Sequence, residues 1–310
     1  MSSKTVRVYV AATVANVACG FDILGFAVST PGDEVVAKLS PVAGVRISAI
    51  HGCDNLPLDP DKNTAGVAAK ALLQHLDSAM GIEIELFKKM PLGSGLGSSA
   101  ASAAAGVFAT NVLLGSPLSA LDLVPFAMQG EKAACGSAHA DNVAPALLGG
   151  FVLIRSYEPL DIIPIASPPS LFCTIIYPHL QIKTEDARKI LRKDVPLKLA
   201  VKQWGNIAGL VAGLNMNDYQ LIGRSLQDVI IEPERALLIP GFEKIKQAAL
   251  QTGALGCSIS GSGPSIFALS DKQEKAEAIA DAMQKAVAVM GIESTLFVSK
   301  VNSEGPRIIS

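Results

Sequence analysis

The sequence predicts an α+β protein built in two layers. Segments with a period of two and segments with a period of 3.6 follow one another without a regular βα alternation, which argues against a parallel doubly wound sheet. The 310 residues are 49% hydrophobic and 17% charged, enough apolar material to bury a large core and fill two domains. No internal repeat or low-complexity tract competes with that reading.

In chain order, strands are expected over 4–10, 33–39 and 44–50, then a helix over 64–80 capped by Asn63 and ended by Gly81. Ile82-Glu83-Ile84-Glu85-Leu86 alternates at the strand period. A helix is expected over 98–114, and another over 119–135 that bends or restarts at Pro125, where the backbone lacks an N–H. Strands over 150–155 and 171–177 flank Ser167-Pro168-Pro169-Ser170, a junction dividing 1–168 from 169–310. Helices follow over 185–193, 197–214, 217–230 and 241–252, then two strands joined across Ser260 to Ser265. A helix over 272–290, with Asp271 and Glu274 as a cap pair, precedes a last strand over 294–301.

Composition narrows the function. Lys plus Arg is 26 and Asp plus Glu is 28, with no basic run, so nucleic acid has little electrostatic hold on this chain. Cysteines 19, 53, 135, 173 and 257 are widely separated and never form a C-x-x-C pair, which suits reduced thiols in a cytoplasm. The stretch 8–19 mildly imitates a signal peptide behind Lys4 and Arg7, but it is poor in leucine and Asn16 interrupts it. No run reaches about 18 apolar residues, so no membrane span is expected and a cytoplasmic location is.

The most telling segment is Pro91-Leu92-Gly93-Ser94-Gly95-Leu96-Gly97-Ser98-Ser99-Ala100-Ala101, between a strand and an alanine-rich helix. Glycines let the backbone bend and turn several N–H groups toward one point, and the free amides of the following helix extend that anion site. The serine hydroxyls suit phosphate oxygens or magnesium. A Walker A loop requires Lys after its last glycine, where Ser98 stands, and a dinucleotide fingerprint requires a third glycine at that same position. Lys88 or Lys89 adds charge near the phosphates unless both face water.

Elsewhere, Val124, Met128, Glu131 and Cys135 fall on one helical stripe, so Glu131 faces inward and needs a partner, whether Lys, Arg or a metal ion. His139 and Asn142 lie in a loop between helices, where such residues usually form solvated turns. Thr184 and Arg188 share a helix face, as a cap and a solvated charge in the simplest account. The histidines at 51, 75, 139 and 179 have no zinc-ligand spacing.

The loop resembles the ATP-binding motif of the GHMP kinases. Ala12-Thr13-Val14-Ala15-Asn16-Val17-Ala18-Cys19-Gly20-Phe21-Asp22 is similar to the homoserine kinase branch of that superfamily, departing at Val14, Val17, Ala18 and Cys19. Gly136 to Pro145, containing His139-Ala140-Asp141-Asn142-Val143-Ala144-Pro145, resembles a second family motif, and Ser260-Gly261-Ser262-Gly263-Pro264-Ser265 a third. The resemblance implies a two-domain GHMP kinase fold, ribosomal-protein-S5-domain-2-like in its N-terminal half and a ferredoxin-like α/β sandwich in its C-terminal half. It implies ATP bound by residues 91–101 with Gly261, Ser262 and Gly263, and Mg²⁺ held by Glu131 with Ser98 or Ser99. Asn142 becomes a ligand of the acceptor hydroxyl, with Glu131 and Thr184 beside it in catalysis. Asn16, Asp22, His139, Thr184, Arg188 and Arg235 become substrate contacts.

In that branch the acceptor is L-homoserine, phosphorylated on the way to threonine. Asp22 then takes the ammonium, while Arg188 and Arg235 take the carboxylate by paired hydrogen bonds. No strong general base is evident. A homodimer is implied by the same resemblance. Two other readings stand beside it: a kinase for another small alcohol of shikimate or mevalonate type, and a non-catalytic amino-acid sensor on the same fold.

Overall fold

The computed structural model describes residues 4–136 and 139–310, except the side chains of Ala134 and Cys135. The Cys135 position on the Glu131 stripe, and Ser137 and Ala138 of the second motif, lie outside that description. Among the described residues the first sheet has the order β11-β1-β2-β4-β3, with β5 on β2 and β6 on β5. Its strands are β1 (Thr5–Ala15), β2 (Leu24–Ser40), β3 (Gly44–His51), β4 (Gly81–Phe87), β5 (Phe151–Tyr157), β6 (Leu160–Ile165) and β11 (Arg307–Ile309). The second is antiparallel, β10-β7-β9-β8, formed by β7 (Phe172–Pro178), β8 (Gly256–Ile259), β9 (Ile266–Ser270) and β10 (Ser294–Lys300). The division at 168/169 falls between the two sheets, yet β11 returns to pair with β1.

The helices are α1 (Thr64–His75), α2 (Ser98–Leu113), α3 (Ala120–Cys135), α4 (Ala140–Leu148), α5 (Thr184–Lys189), α6 (Leu197–Met216), α7 (Tyr219–Ser225), α8 (Glu232–Arg235), α9 (Phe242–Gln251) and α10 (Gln273–Ala288). The alanine-rich α2 is buried almost all round and sits between the first sheet and α1 and α3. A Cβ at its Gly106 would lie 2.6 Å from the Ala65 carbonyl, so small residues set how closely α1 and α2 approach. The loop that leads into α2 meets the turn between β8 and β9, through Gly95 with Ser260 and Ser94 with Ser265.

Several expected elements are corrected. Asn63 does cap α1, but the helix ends at His75, where Asp77 turns left-handed, and Gly81 instead opens β4. α3 runs unbroken through Pro125, anchored by a capping box between Ser119 and Asp122. His139 and Asn142 are not in a loop: His139 is the N-cap of α4 and Asn142 lies in its first turn. The expected 217–230 helix stops at Ser225, because Asp228 draws the amides of Ile230, Ile231 and Glu232 onto its carboxylate. Asp271 does not cap α10 but pairs with Lys275 one turn on. β6 and the three-residue β11 had no expected counterpart.

Candidate active site

One cleft gathers the phosphate loop, Asn16, Asp22, Glu131, His139, Asp141, Asn142, Thr184, Arg188, Arg235, Gly261 and Ser262. Gly93, Gly95 and Gly97 take φ of +66°, +82° and +68°, where a side chain is strained. Gly97 is the N-cap of α2 and no side chain caps the helix, which leaves its first amides and dipole to the cleft. The Ser260 hydroxyl donates to the Gly95 carbonyl at 2.7 Å, and the Ser265 N–H to the Ser94 carbonyl at 3.1 Å. A Cβ on Gly95 would lie 2.5 Å from the Ser260 carbonyl oxygen, and one on Gly97 2.1 Å from Thr13 Oγ1. The glycines therefore serve loop-to-loop packing as well as phosphate approach.

Not every residue of the expected ATP segment reaches the cleft. Ala100 and Ala101 are fully buried in α2, Gly263 is turned toward Ile239 and Ile259, and the Pro91 carbonyl accepts from the Ser94 hydroxyl. Ser98, Ser99 and Glu131 do line it. The Ser98 hydroxyl donates its proton to Asp33 Oδ2 at 2.9 Å, so its oxygen lone pairs remain, and with the Glu131 carboxylate they make a hard-oxygen donor set that fits Mg²⁺. Neither lysine beside the loop is a free charge: Lys88 is buried against Asp33, and Lys89 pairs with Glu34.

At the other end, Arg188 holds Asp22 by hydrogen bonds of 3.0 and 3.1 Å, and Nη2 of the same guanidinium reaches His139 Nε2 at 3.1 Å. Arginine only donates, so Nε2 is the accepting nitrogen and the ring is neutral, with Nδ1 facing Asp22 at 3.9 Å. Burial pushes the His139 pKa down in the same sense. Arg235 donates to the Gly261 carbonyl at 2.7 Å, and the Arg188 and Arg235 guanidinium carbons lie 5.3 and 5.1 Å from the centre of the Phe21 ring. Two cations thus converge on one aromatic ring. Thr184 is not a helix cap; Lys183 holds that position, and Thr184 Oγ1 meets Ser262 Oγ at 3.4 Å.

Asn16 spends both ends of its amide on the chain, donating to the Gly261 carbonyl at 2.8 Å and accepting from the Asp22 N–H at 3.0 Å. It holds Asp22, which has φ of +56°, in a left-handed turn. Asn142 Oδ1 accepts from Thr13 Oγ1 at 2.7 Å, which leaves the amide N–H donors for the cleft.

Three further positions in or behind the cleft wall escaped the sequence reading. Asp141 is fully buried in the cleft wall, Oδ1 meets no donor, and burial with Asp22 and Glu131 nearby pushes its pKa up to about 7. It stands inside the His139 to Pro145 run, so the signal was present. Thr13 likewise stands inside the first motif. The third is Asp33, partnered by Lys88: Ile82, Ile84 and Leu86 are buried, and one more step of that alternation puts Lys88 on the inward face.

Residues 63–150 match the profile of the GHMP kinases N terminal domain, and residues 208–289 that of the GHMP kinases C terminal domain. The chain is 54% identical to a homoserine kinase of Chloroherpeton thalassium, covering 99% of this chain and 100% of that one. It is 52% identical to a homoserine kinase of Chlorobium phaeobacteroides over the same shares. The crystal structure of homoserine kinase from Cytophaga hutchinsonii superposes with a TM-score of 0.97 at 59% identity, covering 100% of this chain and 98% of that one.

Proposed function

The chain belongs to the homoserine kinases, a branch of the GHMP kinases, and we propose from that premise that it transfers the γ-phosphoryl group of ATP to the side-chain hydroxyl of L-homoserine. The observation that carries this reading is the placement of Asp22, Arg188 and Arg235 in the same cleft as the glycine loop. An α-amino acid offers a cation and an anion together, and this end of the cleft supplies both opposite charges. Mevalonate and shikimate have no ammonium for Asp22. A sensor has no need of a phosphate loop.

The geometry supports the following roles. Loop amides and the α2 N-terminus bind and neutralise the phosphates, and phosphoryl transfer asks for little beyond such positioning and charge stabilisation. The Asn142 amide N–H donates to the acceptor hydroxyl oxygen and orients it. Arg188 and Arg235 receive the carboxylate, His139 buttresses Arg188, and Asn16 fixes the turn that presents Asp22. Ser98 and Glu131 hold Mg²⁺, which when bound neutralises charge on the phosphates. Within this reading the enzyme is a cytoplasmic homodimer. No helix of the described residues is long and apolar enough to cross a membrane.

Measuring ADP release with L-homoserine, L-homoserine amide, mevalonate and shikimate tests the assignment, and light scattering tests the dimer. Homoserine is expected to be the preferred acceptor by at least two powers of ten in kcat/KM. A preference for an alcohol without the amino-acid charges would sink it.

A further inference from the structure

Beneath the phosphate loop, outside every motif, the Asp33 carboxylate accepts four hydrogen bonds. Oδ1 receives the backbone N–H of Lys89 at 2.7 Å and of Met90 at 2.9 Å; Oδ2 receives the Ser98 hydroxyl at 2.9 Å and the Lys88 ammonium. Lys88 also donates to the Ser98 carbonyl at 2.9 Å and to the Ser102 hydroxyl at 2.7 Å, so all three of its N–H groups are used. The two side chains are only 1% and 2% exposed. Burying such a pair sacrifices hydration that tethering a loop does not require, since neutral groups tether as well. What the charges add is control of one proton. With donors on both of its oxygens the Asp33 carboxylate acts as an acceptor, so the Ser98 hydroxyl donates inward and turns its lone pairs toward the cleft.

We propose that Asp33, paired with Lys88, is a positioning residue that fixes the Ser98 hydroxyl as an acceptor-only ligand for the magnesium ion accompanying the nucleotide. The proposal rests on the reading of Ser98 and Glu131 as the metal site. Without the anion, the hydroxyl is free to rotate its proton toward the cation and oppose it. Orienting groups behind metal ligands commonly matter by about 10–100-fold in metal affinity.

The test is calorimetric titration of the full chain with ADP, once with excess Mg²⁺ and once with chelator; the ratio of the two affinities measures the metal's coupling to nucleotide. In Asp33→Asn the coupling is expected to fall about tenfold or more, while metal-free ADP affinity stays within about twofold of wild type. Adding Asp33→Asn to Ser98→Ala is expected to cost no further coupling, because the oriented hydroxyl is already gone. If Asp33→Asn does not fold, Asp33→Asn with Lys88→Met removes both charges together and carries the same measurement. Equal losses with and without metal, or wild-type coupling in Asp33→Asn while Glu131→Gln abolishes it, overturn the proposal alone. Undiminished coupling in Glu131→Gln overturns the metal reading beneath it. Failure of both Asp33 variants to fold makes the cluster a folding element and also overturns the proposal.

Discussion

Arg188 and Asp22, 166 residues apart in sequence, hold each other across the cleft by three contacts of 3.0 and 3.1 Å, on helical and left-handed backbone respectively. The pair is partly exposed, so its net contribution to stability is small and its components are exchangeable. A zwitterionic amino acid carries the same two charges and can replace this one ion pair with two.

That exchange makes Arg188→Lys informative. Lysine keeps the charge but loses the bidentate fork, so KM for homoserine is expected to rise while KM for ATP holds. Charged hydrogen bonds contribute roughly 1.5–3 kcal/mol, which sets the loss in kcat/KM at about one to two powers of ten. L-Homoserine amide, which keeps the hydroxyl but lacks the carboxylate, is expected to lose much less. Equal losses for both acceptors would place Arg188 outside the carboxylate site.

The loop glycines divide into two kinds, which variants at Gly93 and Gly95 separate. A Cβ on Gly93 meets nothing within 4 Å, so Gly93→Ala costs only its left-handed backbone, about 1 kcal/mol, and acts mainly on nucleotide affinity. Gly95→Val drives a branched side chain into the Ser260 and Gly263 carbonyls, and about 3 kcal/mol or more of stability is expected to go with it. Melting temperatures and ADP titrations of the two variants check this. Equal losses of melting temperature would deny Gly95 its packing role.

The contrast also marks how far the sequence could be read. Loop, helix and glycine spacing were visible because each is local: three left-handed positions next to an alanine-rich helix leave few alternatives. The cross-chain partners of those glycines were not, since the Ser260 hydroxyl reaches Gly95 from 165 residues away. Glu131 was placed inward by periodicity alone, whereas the roles of Asp22, Arg188 and Arg235 came from family resemblance, because nothing local tells a solvated arginine from a clamp. Reading Lys88 or Lys89 as charge near the phosphates, or both as facing water, overlooked that the β4 alternation points Lys88 inward. Hydrophobic periodicity marks a face as buried, and only a carboxylate on another strand, Asp33, makes a buried lysine tenable there. β11 is three residues long, and pairing with β1, rather than propensity, makes it a strand.

Glu131→Gln keeps the shape of its side chain and removes the charge. If Ser98 and Glu131 hold Mg²⁺ as proposed, turnover is expected to fall by about 2–4 kcal/mol of transition-state stabilisation, with the fold retained. Rates measured across a Mg²⁺ series check it, the deficit being largest at limiting metal. Near-normal turnover at limiting Mg²⁺ would remove Glu131 from the metal site.

Asp141 gives a pH-dependent prediction whose sign can be worked out. Its carboxyl has a pKa of about 7 in the fold against an ordinary value of 3.8, first because it is buried and then because Asp22 and Glu131 repel its charge. Between those two values the folded chain holds a proton that the unfolded chain has released. Stability therefore falls as pH rises through that window, by about 4 kcal/mol in total if the whole shift is expressed. The penalty is complete above the folded value and absent below the unfolded one. Asparagine cannot ionise and has nearly the same shape, so Asp141→Asn without ligand is expected to melt higher than wild type near pH 8, with the difference shrinking steadily toward pH 5. The same variant is expected to lose kinase activity if the anion at this wall of the cleft helps bind or activate the acceptor, a separation of stability from function that functional sites commonly show. A difference in melting temperature that stays constant from pH 5 to pH 8 would mean that Asp141 ionises alike in the folded and unfolded chain, and its buried, donor-free oxygen would then need another explanation.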